Sequence, residues 1–113
     1  MAKVTVRNSY FNEVEAQYAS VAYVTGQSRL YLQDTKVSKN RAVLGHLIDA
    51  QNAASIHLER CRFIGNMANQ NELNLERTTL GSIVNTSFEN GNGRYIYGWK
   101  GNLDIIGSNF SAE

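Results

Sequence analysis

The chain has 113 residues, which is enough for one domain and too few for two of ordinary size. Its hydrophobic content of 42% supports a real core and excludes a disordered tail. Eleven Lys and Arg against ten Asp and Glu leave a net charge of +1, which excludes a general attraction to nucleic acid or acidic membranes.

Individual residues exclude further classes of protein. Gly45 and His46 break the longest apolar stretch, residues 43–48, so we expect no membrane span. The first four residues lack the apolar run of a signal peptide, so export would need a removed leader or another route. Cys61 is the single cysteine, which excludes an intrachain disulfide, and turns must be made without Pro.

Five segments share one pattern, in which two alternating apolar residues are followed by a turn-former, a small residue and a large apolar residue. The segments are Val4–Phe11, Leu30–Val37, Ile56–Phe63, Gly81–Phe88 and Leu103–Phe110. Their last residues, which we term the anchors, are Phe11, Val37, Phe63, Phe88 and Phe110, at spacings of 26, 26, 25 and 22 residues. A period of this length indicates a solenoid with one coil per repeat.

Short alternating runs lie between these segments, at residues 22–24, 48–50, 73–75 and 95–97. Leucine-rich repeats have a similar period but need a helical segment, and no stretch here carries a helical stripe. Alternation instead predicts at least two short strands per coil, with a third near the anchor. The sequence therefore predicts an all-β chain, a single domain over residues 1–113 that forms a parallel β-helix of about five coils. We expect a right-handed sense from the chirality of parallel crossovers.

Aligning the coils predicts ladders of equivalent side chains along the solenoid. The five anchors should stack inside it. Two positions earlier lies a small-residue ladder of Ser9, Thr35, Cys61, Thr86 and Ser108. The bend just before that ladder comprises Asn8, Asp34, Arg60, Asn85 and Gly107. Asn and Asp suit a repeated bend because they tolerate left-handed backbone angles.

These ladders and the run Cys61-Arg-Phe-Ile-Gly-Asn66 resemble the right-handed parallel β-helix superfamily, the pectin-lyase-like group with its adhesin, autotransporter and phage-tail relatives. The resemblance extends from Val4 to Phe110. It implies a solenoid and favours an extracellular, cell-surface or virion location. One solenoid supports many activities, so the resemblance alone implies no particular reaction.

The enzymes of that group carry Asn-Thr-Asp, Asp-Asp, Gly-His-Gly and Arg-Ile-Lys motifs, or clustered carboxylates for Ca²⁺ beside an Arg base. This sequence offers only Gly45-His46-Leu47 and Asn85-Thr86-Ser87, which lack the acids and the second Gly. We therefore expect a structural or adhesin-like member or fragment that is not an enzyme and has no cofactor.

His46, His57 and Cys61 are the soft metal ligands that the sequence offers. His57 and Cys61 would share a side of an extended strand, but the bend at Arg60 separates them. We therefore expect no metal site and a buried Cys61.

Two carboxylates, Asp34 and Glu59, fall near equivalent positions on adjacent coils. Sharing a proton or a Ca²⁺ is one interpretation of such a pair. Because Lys36, Arg60 and Arg62 lie beside them, we expect a surface ion-pair network instead.

A candidate ligand-binding stripe runs beside the anchors. It comprises Tyr10, Lys36 and Arg62, flanked by Tyr31 and His57. Cationic side chains interleaved with aromatic rings suit an acidic sugar or a single-stranded nucleic acid. The alternative is a solvated sheet face whose positive charges limit aggregation.

The run Arg94–Trp99 is the most aromatic part of the chain. Alternation predicts Tyr95 and Tyr97 on one face and Ile96 on the other, which suits a sugar-stacking or protein-contact patch as well as packing between strands. Asn85 and Asn109 each begin a glycosylation sequon, a match that also arises by chance in an Asn-rich chain.

Residues 1–3 and 111–113 are too short to cap a solenoid, so we expect end layers without obvious capping elements. The expected assembly ends are Val4, Val6 and Phe11 on one side and Leu103, Ile105 and Phe110 on the other.

The first functional hypothesis is a structural β-solenoid that assembles end to end into a filament or forms part of a longer fibrous or surface protein. The second is a carbohydrate-binding or phage-spike-like module, and the third is a partial polysaccharide lyase or hydrolase scaffold.

Overall fold

The computed structural model describes residues 2–78, 80–91 and 94–112. Within these ranges the chain forms short strands and no helix. The strands belong to four sheets, which we term A to D, and every pairing within a sheet is parallel. This arrangement confirms the prediction of an all-β parallel β-helix.

The strands follow one another around the solenoid in the order A, B, C, D. Coil 1 comprises β1 (Lys3–Arg7), β2 (Tyr10–Asn12), β3 (Glu15–Ala16) and β4 (Ala19–Val24). Coil 2 comprises β5 (Arg29–Gln33), β6 (Lys36–Ser38), β7 (Arg41–Ala42) and β8 (His46–Gln51). Coil 3 comprises β9 (Ser55–Glu59), β10 (Arg62–Ile64), β11 (Met67–Ala68) and β12 (Leu73–Glu76). Coil 4 comprises β13 (Leu80–Val84), β14 (Ser87–Gly91) and β15 (Ile96–Trp99), and coil 5 comprises β16 (Leu103–Ile106) and β17 (Asn109–Ala112).

The sheets differ in the number of described strands. Sheets A and B each have five, sheet D has four and sheet C has three. The described chain therefore completes about four turns, and β16 and β17 begin the fifth of the predicted coils. Sheet A has the order β1-β5-β9-β13-β16, so each strand pairs with its equivalent in the neighbouring coil.

The anchors form the predicted ladder in sheet B. Phe63 is in register with Val37 on one side and Phe88 on the other, and all three are fully buried. The rings of Phe63 and Phe88 stack at 4.7 Å between centroids. Phe11 is only half-buried and Phe110 is 42% exposed, because an end layer has one neighbouring layer instead of two.

A left-handed bend joins sheet A to sheet B in every coil. Its residues, with φ between 48° and 62°, are Asn8, Asp34, Arg60, Asn85 and Gly107, as predicted. The small-residue ladder follows directly, and its middle members Thr35, Cys61 and Thr86 are buried. The Cys61 thiol donates to the Leu32 carbonyl at 3.3 Å, and burial raises the pKa of that thiol.

Two features differ from the predictions. Sheet C was not foreseen; it consists of two-residue strands that turn Ala16, Ala42 and Ala68 inward. The alternating run predicted at residues 95–97 is one residue early, because Ile96 is the residue in register with Leu73. Tyr95 therefore precedes β15 and is buried, whereas Tyr97 is exposed.

Candidate functional site

The coil 1 end of the solenoid exposes side chains that the inner coils bury. Val4 is in register with Leu30, yet Val4 is 50% exposed and Leu30 only 5%. An apolar hollow of about 380 Å³ opens at this end, and its lining includes Val4, Val6, Phe11 and Leu32. The residues predicted for this assembly end thus lie together around one hollow.

The coil 5 end has the same character. Leu103, Ile105 and Phe110 are 38%, 44% and 42% exposed, although Ile83, which pairs with Ile105, is buried. Within the described chain β1 pairs only with β5 and β16 only with β13. Each of these strands therefore presents one edge of backbone donors and acceptors without a strand partner among the described residues.

Opposite charges lie on the two edges. Lys3 and Arg7 flank Thr5 on β1, and Asp104 is exposed on β16. Successive pairings through Tyr31, His57 and Ser82 place Thr5 and Asp104 in the same outward ladder of sheet A. The edges are thus apolar on the inward side, and on the outward side the cations of β1 meet Asp104 together with the exposed, apolar Ile106 of β16.

The predicted ligand-binding stripe is divided between two faces. Tyr10, Lys36 and Arg62 lie in register on the outer face of sheet B, whereas Tyr31 and His57 lie on the outer face of sheet A. The left-handed bend separates the faces. Lys36 Nζ lies 5.4 Å from the Tyr10 ring centroid, and Arg62 Nε donates to a Glu89 carboxylate oxygen at 2.8 Å.

The sheet A part of the stripe borders a surface groove of about 500 Å³. Tyr31 and His57 meet edge to face in it, with ring centroids 5.7 Å apart. Arg29, Gln33 and Ser82 also contribute to its lining. The groove therefore combines aromatic surface with hydrogen-bonding groups.

Of the three predicted cationic partners of Asp34 and Glu59, only Arg60 pairs with them among the described residues, whereas Arg62 pairs with Glu89. Arg60 forms a fork with the Asp34 carboxylate at 2.7 and 3.1 Å and also contacts Glu59. These contacts hold the pKa of Asp34 below its usual range, and His57 together with Arg60 does the same for Glu59. Because the network is exposed, it orients the bend more than it stabilises the fold.

His57 and Cys61 do not meet. His57 Nε2 is 3.1 Å from Glu59 on the outer face, while Cys61 is buried in the small-residue ladder. Within the described ranges no group of three His, Cys, Asp or Glu side chains lies close enough to hold a metal ion.

Sequence reasoning missed a buried amide ladder at the turn between sheets B and C. Asn66 Oδ1 accepts the Asn40 backbone N–H at 2.9 Å, and Asn66 Nδ2 donates to the Val37 carbonyl at 2.8 Å. One coil earlier, Asn40 Oδ1 accepts the Val14 N–H at 2.9 Å. The sequence does contain a signal for this ladder, because Asn40 and Asn66 have the same 26-residue spacing as the first three anchors.

A buried carboxyl group beside this ladder was also missed. Glu72 is 1% exposed and lies just before β12, at a core position where coil 2 has Leu47. Burial raises the pKa of Glu72 to about 8, and a hydrogen bond from the Asn66 side chain opposes that shift. Glu72 is therefore largely neutral at pH 7, which lowers the cost of burying it.

The aromatic run after Arg94 presents two rings on the outer face of sheet D. Tyr97 is 44% exposed, and Trp99 is 39% exposed. The guanidinium of Arg77 and the ammonium of Lys100 lie 5.0 and 4.8 Å from the Trp99 ring. Both cations therefore lie against the Trp99 ring, while Tyr97 is exposed beside it, so the hypotheses of a sugar-stacking or protein-contact patch and of packing between strands stay open.

No protein-family model matches the chain, and no curated protein matches it either. The architecture is that of a parallel β-helix, established by the sheet pairings alone. Across the described residues there is no helix of the length and apolarity that crossing a membrane requires.

Proposed function

We propose that this domain is a structural β-solenoid whose end layers pair with a further β-layer. That layer comes from a second copy in an end-to-end filament, or from adjoining coils of a longer fibrous or surface protein. The observation that carries the proposal is the exposure of Val4, Leu103, Ile105 and Phe110, whose equivalents in the inner coils form the core.

Pairing an end layer satisfies two kinds of group at once. Apolar side chains leave water, which contributes about 25 cal/mol for each Å² buried. The backbone donors and acceptors on the open edges of β1 and β16 gain partners, as they do between every pair of inner coils. Both contributions favour association over two solvated end layers.

The ladder register gives the contact a specific geometry. If β16 of one copy pairs with β1 of the next, Leu103 follows Val4 and Ile105 follows Val6 in their inward ladders. Asp104 then lies diagonal to Lys3 and Arg7, within reach of long side chains. Apolar and charged positions thus favour the same register.

As part of this proposal, the domain is a non-catalytic member of the pectin-lyase-like group and lies outside the cell or on a virion. Support for this part is the repeat pattern from Val4 to Phe110 together with the absence of that group's catalytic motifs from the sequence. The solenoid itself would be the functional element, as a spacer or a scaffold.

Substitutions on the two edges test the proposal. Ile105→Pro removes a backbone donor from β16, and Val4→Lys places a charge in the apolar hollow, so both should shift the protein to smaller species. Sedimentation velocity over a wide concentration range measures this shift. Met67→Lys is the matched control, because Met67 is 59% exposed on sheet C away from both ends. A wild-type chain that stays a monomer at the highest concentration, with the amides of β1 and β16 protected from exchange, would refute the proposal.

Polysaccharide binding is the second candidate, favoured by the groove that Tyr31 and His57 border. Calorimetric titration with polygalacturonate tests it, and Tyr31→Ala should abolish any heat of binding that the wild type gives. Equal heats of binding for the wild type and Tyr31→Ala would exclude polysaccharide binding in this groove and leave the structural proposal unaffected.

A further inference from the structure

The carboxyl group of Glu72 is enclosed and incompletely bonded. Its Oε1 atom is buried and has no hydrogen-bond partner among the described residues. The Asn66 side chain partly offsets the rise that burial causes in the pKa of this carboxyl group. On another side the group lies against Gly91, where an added Cβ would overlap Oε2. An ionised carboxylate in this place would lack the hydration it needs.

Tyr95 covers Glu72 towards coil 5. The Glu72 N–H donates to the Arg94 carbonyl at 2.9 Å, and the Leu73 N–H donates to the Tyr95 carbonyl at 2.7 Å, so Tyr95 lies one layer above Glu72. The Tyr95 ring borders Gly91 beside the Glu72 carboxyl group. Removing Tyr95 would therefore open the carboxyl group to water.

Strand β17 holds Tyr95 in place. The Tyr95 hydroxyl donates to the Ser111 carbonyl and accepts the Gly91 N–H. The Tyr95 ring also packs near Phe110, with centroids 6.1 Å apart, and near Phe88 at 5.6 Å. Because β17 pairs only with β14 among the described strands, release of β17 would remove the Ser111 hydrogen bond and the Phe110 contact of Tyr95.

We propose that the protonation state of Glu72 controls whether Tyr95 and β17 stay packed on the solenoid. The neutral acid tolerates the enclosed position. The ionised form gains hydration when β17 releases and Tyr95 moves away.

The charged groups around Glu72 are engaged elsewhere. Arg94 Nη1 donates to the Asn69 carbonyl at 3.2 Å, and His46 Nδ1 is 2.9 Å from the Asn71 carbonyl. From β14, Glu89 pairs with Arg62. Just before β15, Tyr95 covers the carboxyl group. Burial thus dominates, and it raises the pKa of Glu72 from 4.5 to about 8.

The difference in the pKa of Glu72 between the packed and the released forms determines how the release of β17 depends on pH. Below pH 4.5 Glu72 is neutral whether β17 is packed or released, so opening does not depend on pH. Between pH 4.5 and about 8 only the released form ionises, and the opening constant should rise about tenfold per pH unit. Above that window both forms are ionised, and the dependence ends.

Amide hydrogen exchange read by NMR tests the proposal. After correction for the intrinsic exchange rate, opening at the Asn109 amide, which donates to Thr86, should increase about 100-fold from pH 5.5 to pH 7.5. Glu72→Gln should make this opening independent of pH. Glu76→Gln, on the same strand but partly exposed, is the matched control and should behave like the wild type. Equal pH dependence in the wild type and in Glu72→Gln would overturn the proposal.

A second measurement on the wild type does not depend on the variant folding. The ¹³C shift of the Glu72 side-chain carboxyl carbon should titrate with a midpoint near 8. A midpoint near 4.5 would contradict the inference, because the enclosed group would then ionise without cost.

Discussion

Replacing Phe63 by Ala should lower the free energy of unfolding by about 3–5 kcal/mol. Phe63 is fully buried in the central coil and stacks on Phe88. Its removal leaves a cavity between two layers whose backbones are fixed by pairing on both sides, so the structure can collapse only partly around it. Urea unfolding followed by circular dichroism measures the loss.

Tyr10→Ala is the matched control for that result. Tyr10 lies on the same sheet but points outward and is 57% exposed. Its loss should cost less than about 1.5 kcal/mol, through the Lys36 contact and its hydroxyl hydrogen bonds. Similar losses for the two variants would mean that the inward and outward positions have been assigned wrongly.

Asn66→Ala should cost about 2–4 kcal/mol, although it removes only one small polar side chain. The substitution leaves the Val37 carbonyl and the Asn40 N–H buried without their partners. It also removes the amide that lowers the pKa of the buried Glu72. The same unfolding experiment measures the change.

Asn69→Ala, three residues later, controls for the loss of an amide in this turn. Asn69 is exposed, so its substitution should change the free energy of unfolding by less than about 0.5 kcal/mol. If Asn66→Ala proves equally harmless, the buried amide ladder does not stabilise this turn.

The ladders that define the fold could be read from the sequence because they repeat chemical character at a constant spacing. The anchors near 26-residue intervals placed sheet B, and the alternating residues before them placed sheet A. The left-handed bend was readable for the same reason, since Asn8 and Asn85 favour that conformation. Even Arg60 could be placed at the bend from its position in the repeat alone.

Sheet C and the position of Tyr95 could not be read in this way. A two-residue strand such as Arg41–Ala42 has no period to detect. Tyr95 is buried because it precedes β15, where the chain has not yet begun to alternate, and contacts from Phe88 and Phe110 decide its position. Tertiary packing overrides the local pattern there.

The candidate site was predicted in part. The assembly-end residues follow from the same repeat, whereas the proposed binding stripe ignored the bend that turns Tyr10 and Tyr31 onto different faces. Glu72 was missed because a carboxylate is expected on the surface, and only the packing of Tyr95 and Gly91 shows that it is enclosed.

Electron microscopy of the purified chain at high concentration tests the structural role most directly. Pairing of β16 with β1 of the next copy predicts continuous rods with an axial repeat of about 24 Å, because sheet A contributes five layers per copy at about 4.8 Å each. Val4→Lys should shorten these rods, while Met67→Lys should leave them unchanged. Discrete particles of single-copy size, with the β1 and β16 amides protected from exchange, would contradict the account.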